Sequence, residues 1–551
     1  MSFSSRLLSL ILLSSLLSSL LSACGADSGL WGAQFTPTPP AKASATSPGN
    51  PAPTQTHDLT PLAVLPLPGT PTPGMAPTSA PIGGGGLDFG ATPPAIPTDS
   101  PFPTATLPPV NAGGPMEIYT SQGGDTLEII AQRFQINPQQ IISDQVLPPA
   151  DALLTPGTLL LLPKSTNTEA MSPGERTIPD SEVVFGPSAM DFDISAYITA
   201  QNGYLNTYKE YIISGGWTTG AQAVERIAYE NSLNPRIILA IIEYESHWVR
   251  GQPSTLAADE YPLGHVDYHY RRLFRQLMWA SGVLSTGYYD WRAGKLTTLT
   301  FNDGTSLRMN PQLNAGTAAI QYYFAQTHDR AAWEQIVAPN GFSALYAEMF
   351  GPPWERAQAF EPNLPAGLTQ PELSLPFEPG KIWAFTGGPH SAWEIEGALA
   401  AIDFAPGAVE QGCVATENWV LAPAAGVVVR TATGVVVLDL DGDGHEQTGW
   451  NILFLHIATA GKAKLGASLQ KDDKIGHPSC EGGISTGTHT HIARKYNGEW
   501  ILADGPLPFN LDGWITHSSG APYKGTLTKG DQTITASTSG TFTTRIIREK
   551  K

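Results

Sequence analysis

The spacing of apolar positions changes character several times along the chain, and each change predicts a different kind of structure. Arg6 precedes an apolar run at residues 7–21, broken only by serines, that closes on Leu21-Ser22-Ala23-Cys24. A basic start, a short apolar stretch and small exit residues form an export signal, so residues 1–23 stand outside the fold. Residues 24–115 carry no period. At Met116 spacing resumes: a strand and turn lead to Leu127, Ile130 and Phe134, which share one helical face behind Asp125, placed to act as an N-cap. A second short helix is expected from Asn137-Pro138 to Ile142, with Pro at its first position. Pro156-Gly157-Thr158 and the leucines 159–162 then read as a turn and a buried strand.

Residues 185–375 follow a helical period. The clearest helix opens at Asn234-Pro235, and Ile238, Ile241, Ile242, Glu245 and Val249 share one face, which sets Glu245 in the apolar stripe and turns Glu243 away. From 376 the pattern becomes short β runs with turn signals, at 422–429, 434–438, 451–457 and 469–476. Residues 485–492 place His489 and His491 at i and i+2, on one side of a strand. Residues 516–551 alternate Thr with apolar positions and predict a terminal hairpin. The expected architecture is multidomain: a disordered tether, a small α+β (βααβ) module at 116–165, a mainly α domain at 185–375 and a mainly antiparallel-β domain at 376–515.

Composition sharpens this division. Only 15% of the 551 residues are charged, below the ~25% of an ordinary globular chain. Residues 31–115 hold 21 prolines and four charged side chains, Lys42, Asp58, Asp88 and Asp99. Such a Pro/Thr-rich tract cannot bury enough apolar area to offset its ordering entropy and serves as a tether. A net charge of −18 excludes a nucleic-acid binder, which needs a basic footprint. No later run is long enough to span a membrane.

Three sets of residues carry candidate chemistry. Glu245, held against apolar surface, resists ionisation and suits a general acid for glycosidic cleavage. His489 and His491 with a carboxylate suit a borderline cation such as zinc. Asp439, Asp441 and Asp443, with Gly442 and Gly444, match the start of a calcium loop, but Trp450 stands where the EF-hand needs Glu. A β-hairpin calcium site and an acidic solvated turn both fit.

Four segments resemble known families. Leu21-Ser22-Ala23-Cys24 resembles the lipobox of bacterial lipoproteins, which implies a lipid on Cys24. Cys413 and Cys480 then remain, either as a disulfide formed outside the cytoplasm or as two buried thiols. Gly124-Asp125-Thr126-Leu127 and Pro156-Gly157-Thr158-Leu159 resemble the LysM module, which implies glycan binding, with Gly124, Asp125 and Thr126 lining the groove; Ser143-Asp144 departs from the family pattern. Residues 233–246 resemble the Glu-Ser helix of lytic transglycosylases and goose-type lysozymes, although the Gly-Leu-Met-Gln-like segment those enzymes place after the acid is missing. Residues 380–505 resemble the lysostaphin-type zinc metallopeptidases. That resemblance implies His390, Asp403 and His491 as zinc ligands and His456 and His489 as the catalytic pair, with residues 391–402 as an inserted loop between the first two ligands. The expected protein is an exported, lipid-anchored peptidoglycan hydrolase with zinc and an optional calcium. A glycan-cleaving enzyme acting through Glu245 and a non-catalytic wall-binding scaffold are the rivals.

Overall fold

Valine-rich runs ending in glycine or aspartate build the largest element, an antiparallel sheet. In the computed structural model, which describes residues 114–164, 169–393, 396–408 and 410–550, its strands follow a defined spatial order. They run Ser468–Leu469, Gly426–Ala432, Gly434–Asp439, Trp450–Ile457, Thr490–Tyr496, Ala401–Pro406, Ile382–His390 and Arg545–Ile547, with Glu499–Trp500 paired beside Thr490–Tyr496. Alternation divides the sheet into two faces. Ile402, Phe404, Val436, Leu438, Ile452, Phe454 and Ile492 pack with Phe377, Trp383 and Trp514. Ala401, Val435, Val437, Leu453, Leu455 and Ala493 face the other way, into a core shared with helices.

The helical region is therefore joined to the sheet by a continuous apolar core that reaches from Ile178 through Trp248 and Trp291 to Ala493 and Trp500. Polar bonds cross the same junction. Arg292, held by Asp180 at 3.0 Å on the helical side, pairs with Glu499 at 2.9 Å, and Tyr289 Oη accepts from the Trp500 amide at 2.9 Å. The helix Pro235–Ser246 is capped by Asn234 Oδ1, which accepts from Arg236 N, and stops at His247 in the left-handed region. It is buried on nearly every side, as an all-round apolar helix must be. That corrects the expectation for Glu243: it is also buried, and its carboxylate accepts the amides of Val249 and Arg250 at 3.1 and 2.9 Å. Two hairpins, Lys209–Ile212 with Gly216–Thr219 and Thr298–Thr300 with Ser306–Arg308, interrupt a region expected to be helical. Of its aromatics, Trp248, Tyr288 and Trp291 are core residues and Tyr268 is exposed.

The small module pairs Met116–Thr120 with Leu159–Pro163 around the helix Leu127–Phe134. Its N-cap is Thr126, which accepts from Ile129 N, rather than Asp125. The second helix contracts to one 3-10 turn, Pro138–Gln140, closed by the reciprocal Asn137–Gln140 cap. The tail departs from a simple hairpin as well. Gly525–Lys529 and Gln532–Thr535 form one, but inside a four-stranded sheet that starts at Asn510–Leu511. Arg545–Ile547 then joins the main sheet because Ile546 fills its core. The expectations for the export signal, Cys24 and the tether up to residue 113 lie outside the described residues.

Candidate metal centre

The sheet register brings the three candidate ligand residues together. Asp403 and His491 are directly paired across neighbouring strands, and His390 ends the next strand. Alternation sends Asp403 and His491 to the face of Ala401 and Ala493. Gly387 lies opposite Asp403, and a Cβ there would come within 2.3 Å of Asp403 Oδ2, so glycine alone lets the carboxylate lie across that strand. All three ligand candidates are buried, at 3%, 5% and 5% exposure for His390, Asp403 and His491.

Three acceptor atoms converge. His390 Nε2 is 3.0 Å from His491 Nδ1 and 3.2 Å from Asp403 Oδ1, which is 3.5 Å from His491 Nδ1. A tetrahedral ion with ligands at 2.0–2.2 Å sets them roughly 3.3–3.5 Å apart, so the triangle fits. Each imidazole turns its other nitrogen to a backbone carbonyl, His390 Nδ1 to Gly388 O at 2.8 Å and His491 Nε2 to Ala392 O at 3.0 Å. Those carbonyls take the ring protons and leave lone pairs on the inner nitrogens. Asp403 Oδ1 is buried without a hydrogen-bond partner. Lone pairs facing one another in a buried space call for a cation. Protonation obeys the same pull: burial pushes His390 down, and Asp403 outweighs it and holds the imidazole above its ordinary value.

His456 and His489 stand beside this triangle with ring centroids 4.5 Å apart. His456 Nδ1 bonds Glu481 O at 3.0 Å and His489 Nδ1 bonds Gly487 O at 2.8 Å, so each ring is held at its Nδ1 edge. His489 Nε2 lies 3.8 Å from Asp403 Oδ2. Strict alternation would place His456 on the face opposite Leu455. A β-bulge, where the register skips from Gly434–Ile457 to Val435–Leu455, and a φ of 61° re-aim it toward the candidate ligands. Burial, with His489 and His491 near, pushes the His456 imidazole down to about 3. The Cys413–Cys480 bond ties the adjoining loops, with Cα atoms 5.8 Å apart.

Other candidates lie elsewhere. Glu245 is in the helical core with Oε1 unpartnered, and Oε2 is 3.7 Å from His328 Nε2. Burial pushes its carboxyl up to about 8, against a weaker opposing bond from Thr327. Gly264 packs against it: a Cβ would lie 2.6 Å from the carboxyl carbon. Asp439, Asp441 and Asp443 gather at one turn, but Asp439 accepts the amides of Asp441, Gly442 and Gly444, the contacts of an acidic turn. The expected lining of the module is largely covered. Asp125 and Thr126 are each 1% exposed, Gly124 lies against Arg292, and Arg292 donates to Gly123 O, so the helical region covers that turn. Two contributors escaped the sequence reading. Tyr523 stacks on His390 with centroids 4.1 Å apart, and the Ala392 carbonyl holds His491. Tyr523 carried no signal, lying in a turn of the tail; the Gly387-Gly388 pair before His390 was the visible trace of a crowded strand.

Residues 119–163 match the LysM domain and residues 176–363 match the LasA N-terminal domain. Protease LasA of Pseudomonas aeruginosa (strain UCBPP-PA14) is 24% identical over 343 residues, 59% of this chain and 75% of that protein. Beta-lytic metalloendopeptidase of Achromobacter lyticus is 26% identical over 158 residues, 27% of this chain and 39% of the relative. The solved M23 metalloprotease pseudoalterin, described as from the deep sea, is 20% identical and aligns with 31% of this chain and 96% of its own, at a TM-score of 0.25. The chain carries a LysM domain and a LasA N-terminal domain, and it is similar to the lysostaphin-type peptidases.

Proposed function

We propose that the chain is a zinc-dependent endopeptidase that hydrolyses peptide bonds in the stem or cross-bridge of peptidoglycan. One observation carries the reading: three buried acceptor atoms converge at 3.0–3.5 Å, with two further imidazoles turned toward them. His390, Asp403 and His491 would hold the ion. When bound there, zinc supplies Lewis acidity toward a carbonyl oxygen and toward water. The chain's own residues handle the protons. His456 and His489 are each fixed by a carbonyl at Nδ1 and present Nε2 for proton transfer. One takes a proton from the attacking water as its oxygen bonds the scissile carbon. The other, when protonated, donates to the oxyanion. The proton then passes to the departing amine nitrogen as the C–N bond breaks. Export, a lipid on Cys24 and glycan anchoring through the LysM domain belong to the same reading. With the Gly124–Thr126 turn covered, anchoring would use another surface of the module.

A second reading rests on Glu245. A buried carboxyl with Oε1 unpartnered, pushed to about 8, has the protonation state of a general acid for glycan cleavage. A peptidoglycan digest analysed by mass spectrometry, with and without chelator, separates the readings. The endopeptidase yields new amino termini that vanish with chelator. Glycan cleavage yields new sugar ends that persist with chelator and vanish in Glu245→Gln. A scaffold yields neither, and that outcome would reject both enzymatic readings.

A further inference from the structure

The chain between His390 and Asp403 does more than bridge two ligands. Its described stretches, 391–393 and 396–400, fold back on themselves. Ala392 N donates to Ala398 O at 2.9 Å, and Ala400 N donates to the same oxygen at 2.7 Å. That closure aims the Ala392 carbonyl at His491 Nε2, 3.0 Å away. Such a carbonyl decides which nitrogen of a ligand histidine is free and how its ring is turned.

The seat of this segment is the helical region. Ala392, Ala398 and Ala400 are 1%, 3% and 0% exposed, within the core shared with the helices. Trp393 packs on that core and sets its indole near the Glu230 carboxyl in the helix Gly220–Asn231. Gly397 presses on the helix Leu273–Arg292, where an added Cβ would come within 2.7 Å of Ser285 Cβ. Gly282 faces Glu396, with 3.4 Å between its missing Cβ position and Glu396 Cβ. Gly282 and Ser285 are three residues apart on one helical face, so a single surface receives the segment.

We propose that the helical domain is a structural part of the metal centre: its Gly282–Ser285 face seats the segment after His390, and the seated Ala392 carbonyl orients His491. Trp393 is then a positioning residue for a metal it does not touch, and Ser285 contributes its Cβ to the surface that receives the segment. This inference rests on the reading that His390, Asp403 and His491 bind zinc.

The test uses the full chain and measures zinc affinity by chelator competition, with the d–d bands of the cobalt-substituted protein as a report of ligand geometry. Ser285→Trp unseats the segment with bulk, Trp393→Ala removes its anchor without adding any, and Ser285→Ala leaves the seat intact. Both disruptive variants should lose about 10–100-fold in zinc affinity with shifted cobalt bands, the range found when outer-shell partners are removed. Ser285→Ala should match the parent. Parent-like affinity and parent-like bands in the disruptive variants that keep a cooperative melt would overturn the inference. Where Ser285→Trp does not fold, Trp393→Ala decides alone. Asp403→Ala separates this failure from that of the underlying reading: zinc retained there rejects the ligand set itself, whatever Ser285 does.

Discussion

Asp403 and Glu245 are both carboxyls taken out of water, and they reach opposite charge states. Burial pushes each one up. Beside Asp403 stand His390, His491 and His489, and their pull outweighs burial and holds the carboxyl well below the usual range. Glu245 has no such company. Its neighbour His328, 3.7 Å away, is itself pushed down by burial, which works against an ion pair. The difference lies in the secondary structure that delivers the neighbours. An antiparallel sheet sets side chains from three strands within hydrogen-bond reach of one point. The helix in the apolar core gives its carboxyl one imidazole and the Thr327 hydroxyl as polar company. Depth in the fold therefore does not decide whether an acid is charged; the groups that share its space do.

Removing Asp403 has the largest expected effect and tests the charged half of the comparison. Asp403→Ala leaves two imidazoles and no anion, and zinc affinity should fall by more than the ~100-fold typical of outer-shell changes. Atomic absorption on the dialysed protein reads this directly. His456→Ala and His489→Ala should keep their zinc yet lose about 10²–10⁴ in cleavage rate, as expected for an acid–base group. Zinc lost from either histidine variant would move that residue from proton handling to metal binding.

The neutral half is tested by pH. Glu245 titrates near 4.5 in the unfolded chain and at about 8 in the folded one. Between those values the folded state binds more protons than the unfolded state, so this residue's contribution falls as pH rises. It is fully present below 4.5 and lost through 8, a swing on the order of 5 kcal/mol. Gln has nothing to titrate. Melting temperatures of the parent and Glu245→Gln, taken from pH 5 to 8, should diverge, with the variant gaining at the alkaline end. Parallel curves would mean that Glu245 ionises freely.

The elements that a local period specifies were legible in the sequence: the helix opening at Asn234-Pro235, the paired valine runs, and His489 with His491 on one strand. What was not legible depends on contacts distant in sequence. One apolar face predicts that a helix is buried on one side, whereas Pro235–Ser246 is wrapped by other helices, so Glu243 is buried too. The bulge at His456 is a register property of two strands, and neither strand shows it alone. The core joining sheet and helices escaped because both surfaces read as ordinary alternation until they meet. The turn at Gly124 was legible as a turn, but its covering by Arg292 comes from a helix far along the chain.

Asp125 is a third buried carboxyl, and it extends the comparison to one with a permanent cation. It pairs with Arg133 at 2.8 Å and accepts from Tyr119 Oη at 2.7 Å and from Gln122 N at 2.8 Å. Breaking a buried pair from one side strands the remaining charge, at a usual cost of 3–5 kcal/mol. Arg133 would keep the Trp291 carbonyl at 2.9 Å and its place over the Trp291 ring, so Asp125→Ala should cost about 3 kcal/mol, the low end of that range. Urea unfolding followed through the small module's amides gives the number, and N-acetylglucosamine oligomers supply the second measurement. A structural Asp125 loses stability in the variant, and whatever glycan affinity the folded module has is retained. Undiminished stability with abolished glycan binding would instead return Asp125 to the sugar groove and show that the helical region uncovers this turn in solution.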